Sequence, residues 1–257
     1  MVYDLKYGSA YSERHGQEVD LLLDVYRPTV ALGWKAPAVL LIHGGNFIGG
    51  SKQAGIMEAE ALYFARAGFV VFNMNYRLEG STYLVELSAV RDAVHDAKAA
   101  VRFIVDQAES FRLDPTRIAA WGESAGGITA ISMNSVSSEG SSGNPGLSSN
   151  ISAAVSLSGT MWPFLVASPR NEVLRDTPWF NVHSKADSVV YPFLAAPWHT
   201  WNQDFVFLTV LMPKHYFFLV ESMHLSQVVL IFFLGTCTNI RRFGMIWIYR
   251  FGIAVAS

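Results

Sequence analysis

This 257-residue sequence has little cysteine, few charged residues and no long uninterrupted apolar run. It has a single cysteine, Cys237, which excludes an internal disulfide and fits a reducing compartment. Charged residues make up 16% of the chain and the formal net charge is −2, so neither nucleic acid nor an anionic membrane is an expected partner. Its apolar runs are too short, or too interrupted, for the about 20 residues that a membrane-spanning helix needs.

A leader sequence is not evident either. The opening residues, Met-Val-Tyr-Asp-Leu-Lys-Tyr, lack a basic segment followed by an apolar stretch, so the sequence predicts no signal peptide and, by default, a cytoplasmic protein. The length suits one α/β domain with an extensive core. No internal repeat is evident, and a single domain over residues 1–257 is expected.

The most informative stretch is Arg117-Ile-Ala-Ala-Trp-Gly-Glu-Ser-Ala-Gly-Gly127. A short apolar run stops at Gly122 and a helix-compatible segment follows Ser124, so the stretch predicts a buried strand that turns sharply into a helix. A serine raised on such a turn has a strained backbone, and its neighbours two positions away pack too closely to carry a Cβ. Glycine at 122 and 126 meets that need. The G-x-S-x-G spacing therefore predicts that Ser124 is a nucleophile near a helix N-terminus.

Strands and helices alternate along much of the chain. Apolar runs predict strands buried on both faces at residues 38–42, 69–72, 153–157 and 178–182, and an alternating pattern predicts a half-exposed strand at residues 19–26. Helical periodicity covers residues 57–67 and 88–107, with Asp96 and Lys98 off the apolar stripe of the second helix. A Ser/Gly/Pro-rich loop covers residues 135–150. This order predicts an α/β fold, with a mainly parallel central sheet and helices on both faces.

A serine nucleophile needs donors for the developing oxyanion, a base, and an acid that orients the base. His43-Gly44-Gly45 directly follows the buried run 38–42, and glycine lets the backbone approach a substrate. We assign the N–H groups of Gly44, Gly45 and Ala125 as the donors; the alternative is a plain glycine-rich turn. The side chain of His43 is expected to point back toward the core and hold this loop, rather than to act as the base.

The acid is predicted from its place in the chain. Asp187 lies just past the carboxyl end of the strand predicted at residues 178–182, where open parallel sheets keep their sites. The order serine, acid, histidine also favours it. The alternative is that Asp187 is a solvated aspartate in a turn.

Three histidines follow Asp187 and compete as the base. His199 is too near, because a helix and a last strand should separate acid and base. Residues 205–210 predict that last strand and residues 211–215 a loop after it, which makes His215 the predicted base. His224, in a helix-like segment, is the alternative, and the absence of any base is the third.

Together these residues resemble the α/β-hydrolase esterases, in particular the carboxylesterase and hormone-sensitive-lipase-like group. The resemblance covers about residues 17–190, and Asn46 departs from it where a third glycine or alanine is usual. It implies an α/β-hydrolase fold that cleaves a small-molecule carboxylic ester through an acyl-serine intermediate, without metal or organic cofactor. The matching pieces are Leu23-Asp-Val-Tyr-Arg-Pro28, His43-Gly-Gly-Asn-Phe47, Asn75-Tyr-Arg-Leu78, Asp114-Pro-Thr-Arg-Ile118, Gly122-Glu-Ser-Ala-Gly-Gly127 and Val182-His-Ser-Lys-Ala-Asp187.

From about Tyr191 onward, the chain no longer resembles that group. Residues 193–257 carry six charged side chains, against 34 in the preceding 192 residues, and their apolar clusters show no clean amphipathic period. Three explanations stay open for this atypical part, residues 191–257: a divergent last strand and helix, a membrane-associating extension, or sequence that the family never had, such as a misread exon. In the third case the base is missing, and the chain is an inactive hydrolase-fold binding protein or a defective variant.

Overall fold

A computed structural model describes residues 1–29, 33–80, 87–133, 136–159, 177–184, 205–212 and 215–222. Within these ranges the strands are β1 (Val2–Ser12), β2 (Gln17–Tyr26), β3 (Ala36–Ile42), β4 (Val70–Met74), β5 (Leu113–Glu123), β6 (Ala153–Leu157), β7 (Trp179–Ser184), β8 (Phe205–Met212) and β9 (His215–Ser222). The helices are α1 (Gly55–Arg66), α2 (Leu87–Asp106) and α3 (Ala125–Ser132). None of these described helices combines the length and the apolar character that crossing a membrane requires.

All nine strands belong to one sheet, in the order β1-β2-β4-β3-β5-β6-β7-β8-β9. The central strands β4, β3, β5, β6 and β7 are parallel. The outer pairs β1–β2, β2–β4, β7–β8 and β8–β9 are antiparallel. The predicted α/β fold with a mainly parallel sheet is confirmed.

Helices cover both faces of the sheet. Leu40 and Ile42 of β3 join the larger apolar cluster, which includes residues of α2 and α3. Val39 and Leu41, on the opposite face, join the smaller cluster with Met57 and other residues of α1. Because β3 is buried on both faces, its sequence is apolar without alternation.

The parallel strands bring three chain segments to one edge of the sheet, called here the carboxyl edge. Ile42 of β3 pairs with Gly122 of β5, and Gly122 pairs with Ser156 of β6. The loop after β3, the turn after β5 and the segment after β6 therefore leave the sheet side by side. Open parallel sheets place their sites at this edge.

A buried ion pair ties the end of β4 to the middle of α2. Arg77 donates to Asp96 from its guanidinium (2.8 to 3.1 Å) and from its backbone N–H (2.9 Å), and Ser142 Oγ donates to the same carboxylate (2.7 Å). Burial raises the pKa of Asp96, and the bonds from Arg77 oppose that shift. Lys98 is buried too, and its Nζ donates to the carbonyl of Val136 (2.6 Å). Both residues lie off the apolar stripe of α2, and partners from the segment after β4 and from the loop 136–150 account for their burial.

Two further features differ from the expectation. β1 was not predicted, because its polar and apolar residues mix without a clear period. In β2 the half-exposed pattern stops at Leu22, and Leu23–Tyr26 are buried throughout. This second half of β2 pairs with β4, which places it inside the sheet.

Candidate active site

Ser124 occupies the turn between β5, which ends at Glu123, and α3, which begins at Ala125. Its backbone has φ 52° and ψ −117°, a conformation that costs energy for any residue with a side chain. The N–H of Ser124 donates to the carbonyl of Leu157 (2.7 Å), and its own carbonyl accepts from the N–H of Ile128 (2.9 Å). The predicted strand, strained turn and helix are all present.

Glycines on both sides of Ser124 let β5 and α3 pack at close range. A Cβ on Gly122 would collide with the carbonyl group of Gly126. A Cβ on Gly126 would collide with the carbonyl of Ile42 and lie 2.7 Å from the carbonyl oxygen of His43. These obstacles are backbone atoms that cannot swing aside, so the prediction that both positions exclude a Cβ is confirmed.

The glycine-rich loop after β3 passes beside Ser124. A Cβ on Gly44 would lie only 3.3 Å from the Cβ of Ser124, so a side chain there would crowd the nucleophile. Gly45 has φ 123°, and its carbonyl accepts from the N–H groups of Ile48 and Gly49 (both 3.0 Å). The loop therefore forms a tight turn that keeps its backbone against the carboxyl edge.

Three N–H groups in this region have no acceptor within the described part of the chain. Among the residues that the structure describes, none accepts a hydrogen bond from the backbone N–H of Gly44, Gly45 or Ala125. Ala125 is the first residue of α3, where the partial positive charge of a helix N-terminus is concentrated. These groups are available to a negatively charged oxygen.

His43 lies beneath the loop and is 2% exposed. Its Nδ1–H donates to the carbonyl of Gly44 (2.7 Å), and its ring stacks on Tyr76, with centroids 4.4 Å apart and planes at 19°. Burial lowers the pKa of His43, which favours the neutral imidazole. The expectation that His43 points inward and holds the loop is confirmed.

The carboxylate of Glu123, which directly precedes Ser124, interacts with a second carboxylate. Glu60 of α1 is half-buried, and its pKa is raised first by that burial and then by the charge of Glu123, which precedes Ser124. Nothing in the sequence singles out Glu60, because one glutamate on a helix surface has no distinguishing pattern.

The predicted acid, Asp187, lies outside the described residues. The strand before it is present: β7 runs parallel to β6, Val182 pairs with Leu157, and the N–H of Ser158 donates to the carbonyl of Val182 (2.7 Å). β7 ends at Ser184, so the chain leaves it at the carboxyl edge. The assignment of Asp187 stays a prediction.

The chain around His215 differs from the expectation. Residues 205–210 lie in a strand, as predicted, but β8 extends to Met212 and is antiparallel to β7. The predicted loop over residues 211–215 is wrong, because Met212 ends β8 and His215, paired with it, begins β9. Since β8 starts beside Ser184 and runs away from the carboxyl edge, the backbone of His215 lies at the opposite edge from Ser124. His215 as the base stays a prediction, and this register argues against it.

The other candidate histidines, His199 and His224, lie outside the described residues. β9 returns toward the carboxyl edge, where Ser222 pairs with Phe205. His224 follows Ser222 by two positions in the sequence. The register that argues against His215 therefore leaves His224 open as the alternative.

Known proteins resemble about half of this chain or more. Residues 23–162 match the model of the BD-FAE family. A secreted lipase of Arthroderma benhamiae is 30% identical over 134 residues, which are 47% of this chain and 26% of that protein. Gut esterase 1 of Caenorhabditis elegans is 32% identical over 127 residues, 48% of this chain and 22% of that protein. The chain thus spans about a quarter of the length of these relatives.

Solved structures agree with this similarity. Esterase 2 of Thermogutta terrifontis, in a structure phosphorylated by paraoxon, is 27% identical with a TM-score of 0.57, covering 73% of this chain and 72% of that one. A butyrate-bound structure of the esterase is also 27% identical, with a TM-score of 0.54, and covers 67% of this chain and 70% of that one.

Proposed function

The chain belongs to the BD-FAE family of α/β-hydrolase esterases, and we propose that it hydrolyses carboxylic esters through an acyl-serine intermediate. The observation that carries the proposal is the position of Ser124. It stands on a strained turn at the start of α3, with Gly44 against its Cβ. Lipases and esterases among the similar proteins support the same chemistry.

In the proposed reaction, Ser124 Oγ attacks the carbonyl carbon of the ester and passes its proton to a histidine. The carbonyl oxygen becomes an oxyanion, which accepts hydrogen bonds from the free N–H groups of Gly44, Gly45 and Ala125. Collapse of this intermediate expels the alcohol, which takes the proton back from the histidine. A water molecule then attacks the acyl-serine by the same route and releases the carboxylic acid.

The remaining parts of the triad are assigned by sequence. Asp187 orients the histidine and stabilises its charged form. His215 is the predicted base and His224 the alternative, and the backbone of His215 at the edge of the sheet opposite to Ser124 counts against the first of these. We infer that the substrates are small-molecule esters, as the esterases among the similar proteins suggest.

The experiment compares the parent chain with Ser124→Ala, His215→Ala and His224→Ala. Each purified protein is reacted with a fluorophosphonate and assayed with a short p-nitrophenyl ester. We expect the parent to be labelled and to turn over the ester, and Ser124→Ala to lose both. Only the variant that lacks the base should lose labelling as Ser124→Ala does, because serine activation needs the base.

Circular dichroism and thermal unfolding give the control for folding. If Ser124→Ala hydrolyses the ester at the parent rate, the proposal is overturned. If folded parent protein is neither labelled nor active, the chain is instead a hydrolase-fold binding protein that lacks its base. The place of His215 at the far edge of the sheet is the observation that favours this second function.

A further inference from the structure

Tyr76 follows β4 by two positions and packs beneath the oxyanion loop, residues 43–50. It is 4% exposed. Its hydroxyl donates to the carbonyl oxygen of His43 (2.9 Å), while its ring stacks on the imidazole of His43. The edge of Phe47 meets the same ring at 6.2 Å between centroids. One side chain thus contacts the beginning and the middle of the loop.

The hydrogen bond from Tyr76 sets the direction of an N–H group that it does not touch. In a planar trans peptide the C=O and the N–H point in opposite directions. The carbonyl of His43 and the N–H of Gly44 belong to one such unit. A hydroxyl that holds this carbonyl from below therefore aims the N–H of Gly44 away from Tyr76, out of the core.

His43 does the same for the next peptide. Its Nδ1–H donates to the carbonyl of Gly44 (2.7 Å), and that carbonyl shares a peptide unit with the N–H of Gly45. A Cβ on Gly50 would lie 2.7 Å from this Nδ1 and collide with the Gly44 carbonyl, so glycine at position 50 leaves room for the contact. Two successive donors are each fixed through the carbonyl of the same peptide unit.

We propose that Tyr76 is a positioning residue, which acts with His43 to aim the N–H groups of Gly44 and Gly45 at the oxyanion of the reaction. The inference rests on the proposed esterase function. Glycine has the widest backbone freedom of any residue, so the two peptides need an external restraint to keep one orientation. Preorganised donors stabilise an oxyanion because they need not reorient during the reaction.

Tyr76 is suited to this role because its hydroxyl stays a donor. Burial raises the pKa of Tyr76 above its ordinary range, so the phenol remains protonated at any pH at which an esterase would be assayed. The neighbouring Arg77 is held by Asp96, and this ion pair fixes the chain directly after Tyr76. The restraint on the loop is thereby anchored to α2.

The test uses two substitutions that keep a ring in place and each remove one hydrogen bond. Tyr76→Phe removes the donor to the His43 carbonyl, and His43→Phe removes the donor to the Gly44 carbonyl. With a p-nitrophenyl ester we expect each to lower kcat about tenfold to a hundredfold, below the full effect of deleting a donor. KM should stay within about twofold, because the restraint acts on the transition state. Tyr63→Phe, on the exposed side of α1, is the control.

Three measurements separate positioning from mere stability. Titration with a fluorophosphonate counts the molecules that have a reactive Ser124. Dividing the rate of turnover by that number gives kcat per folded molecule, so partial unfolding does not lower the measured kcat. Thermal unfolding reports any change in stability. In ¹H–¹⁵N spectra, the Gly44 and Gly45 cross-peaks should shift or broaden in both variants and stay unchanged in Tyr63→Phe.

The outcomes distinguish this inference from the esterase proposal. If the parent is active and both variants keep kcat within about twofold with unchanged glycine cross-peaks, the positioning role is overturned. If the parent proves inactive, the esterase proposal fails, and the spectra alone decide whether Tyr76 and His43 hold the two peptides. If one variant does not fold, the other tests the same restraint at the neighbouring peptide.

Discussion

At the scale of single residues, the turn around Ser124 depends on the absence of a Cβ at the neighbouring glycines. Gly122 and Gly126 face each other, and Gly126 also faces the carbonyls that end β3. The nucleophile, the helix and the oxyanion loop therefore meet at backbone contacts rather than at side chains. One added methyl group would push the three apart.

Gly126→Ala should show this effect. The new Cβ collides with the Ile42 carbonyl, so we expect a loss of about 1–3 kcal/mol in the free energy of unfolding. Activity should fall as well, because the shift moves His43 and the loop after it. Urea unfolding and ester turnover provide the measurements.

Gly55→Ala is the matched control. Gly55 begins α1, and a Cβ built there meets no atom within 4 Å. This variant should keep its activity and gain up to about 1 kcal/mol, since alanine loses less conformational freedom than glycine on folding. Equal losses in the two variants would contradict the steric account of position 126.

The sequence predicted these residues well because their chemistry is local. The spacing of Gly122, Ser124 and Gly126 by itself indicates a tight strand-to-helix turn at which glycine is sterically required. The link from Tyr76 to His43 could not be read in the same way, because the two residues are 33 positions apart and meet only when β3 and β4 pair. The motif Asn75-Tyr-Arg-Leu78 marks the family resemblance, but it does not indicate that Tyr76 contacts His43.

At the scale of elements, the ends of the sheet differ from its centre. The central strands β3, β4 and β6 are built on apolar runs, and the sequence predicts a strand at each of them. The strand at residues 205–210 is predicted, whereas β9 is not, because the expectation of a loop with a histidine comes from the order of a triad rather than from the residues themselves. Residues 205–212 and 215–222 are both rich in β-branched and aromatic residues, which favours two strands.

The ion pair of Arg77 and Asp96 gives an element-scale prediction. Asp96 is fully buried and Arg77 nearly so, hence removing one partner leaves a buried charge uncompensated. We expect Asp96→Ala or Arg77→Ala alone to cost about 3–5 kcal/mol in the free energy of unfolding. The double variant should cost much less than the sum of the two, as chemical denaturation would show.

A surface pair offers the comparison. Lys6 and Asp20 bridge β1 and β2 with side chains that are 54% and 60% exposed. The same double-mutant cycle at this pair should give a coupling of about 1 kcal/mol at most, because water screens the charges. Similar coupling at both sites would mean that the Arg77–Asp96 pair does not tie β4 to α2.

At the scale of the whole molecule, folding keeps two histidines neutral. Burial lowers the pKa of His43 and of His95, and within the described structure the Nε2 of His95 is buried without a hydrogen-bond partner. The unfolded chain binds protons at these sites near pH 6.5, while the folded chain binds them only at lower pH. The free energy of unfolding therefore has its full value, as far as these two histidines are concerned, above about pH 6.5. It decreases as the pH falls below that value, because the unfolded state then binds more protons.

The expected result is a free energy of unfolding that declines between pH 7 and pH 5.5, by at most about 1.4 kcal/mol per pH unit for each histidine. His95→Gln should make this decline shallower, and denaturant titrations at several pH values would measure it. Parallel curves for the parent and the variant would rule out a contribution from His95.

The order of strands in the sheet also determines when β3 can complete its strand pairing during translation. In the pairing of β3 with β5, Ala38 lies opposite Ile118 and Ile42 lies opposite Gly122. Each of these β3 residues is therefore synthesised 80 residues before its partner in β5. At about 5–20 residues per second, a ribosome takes about 4–16 s to cover that interval. During it β3 can pair with β4, but its other edge stays open with apolar side chains exposed. A nascent chain stalled before Leu113 is thus a substrate for chaperones or for aggregation, well before Ser124 is made.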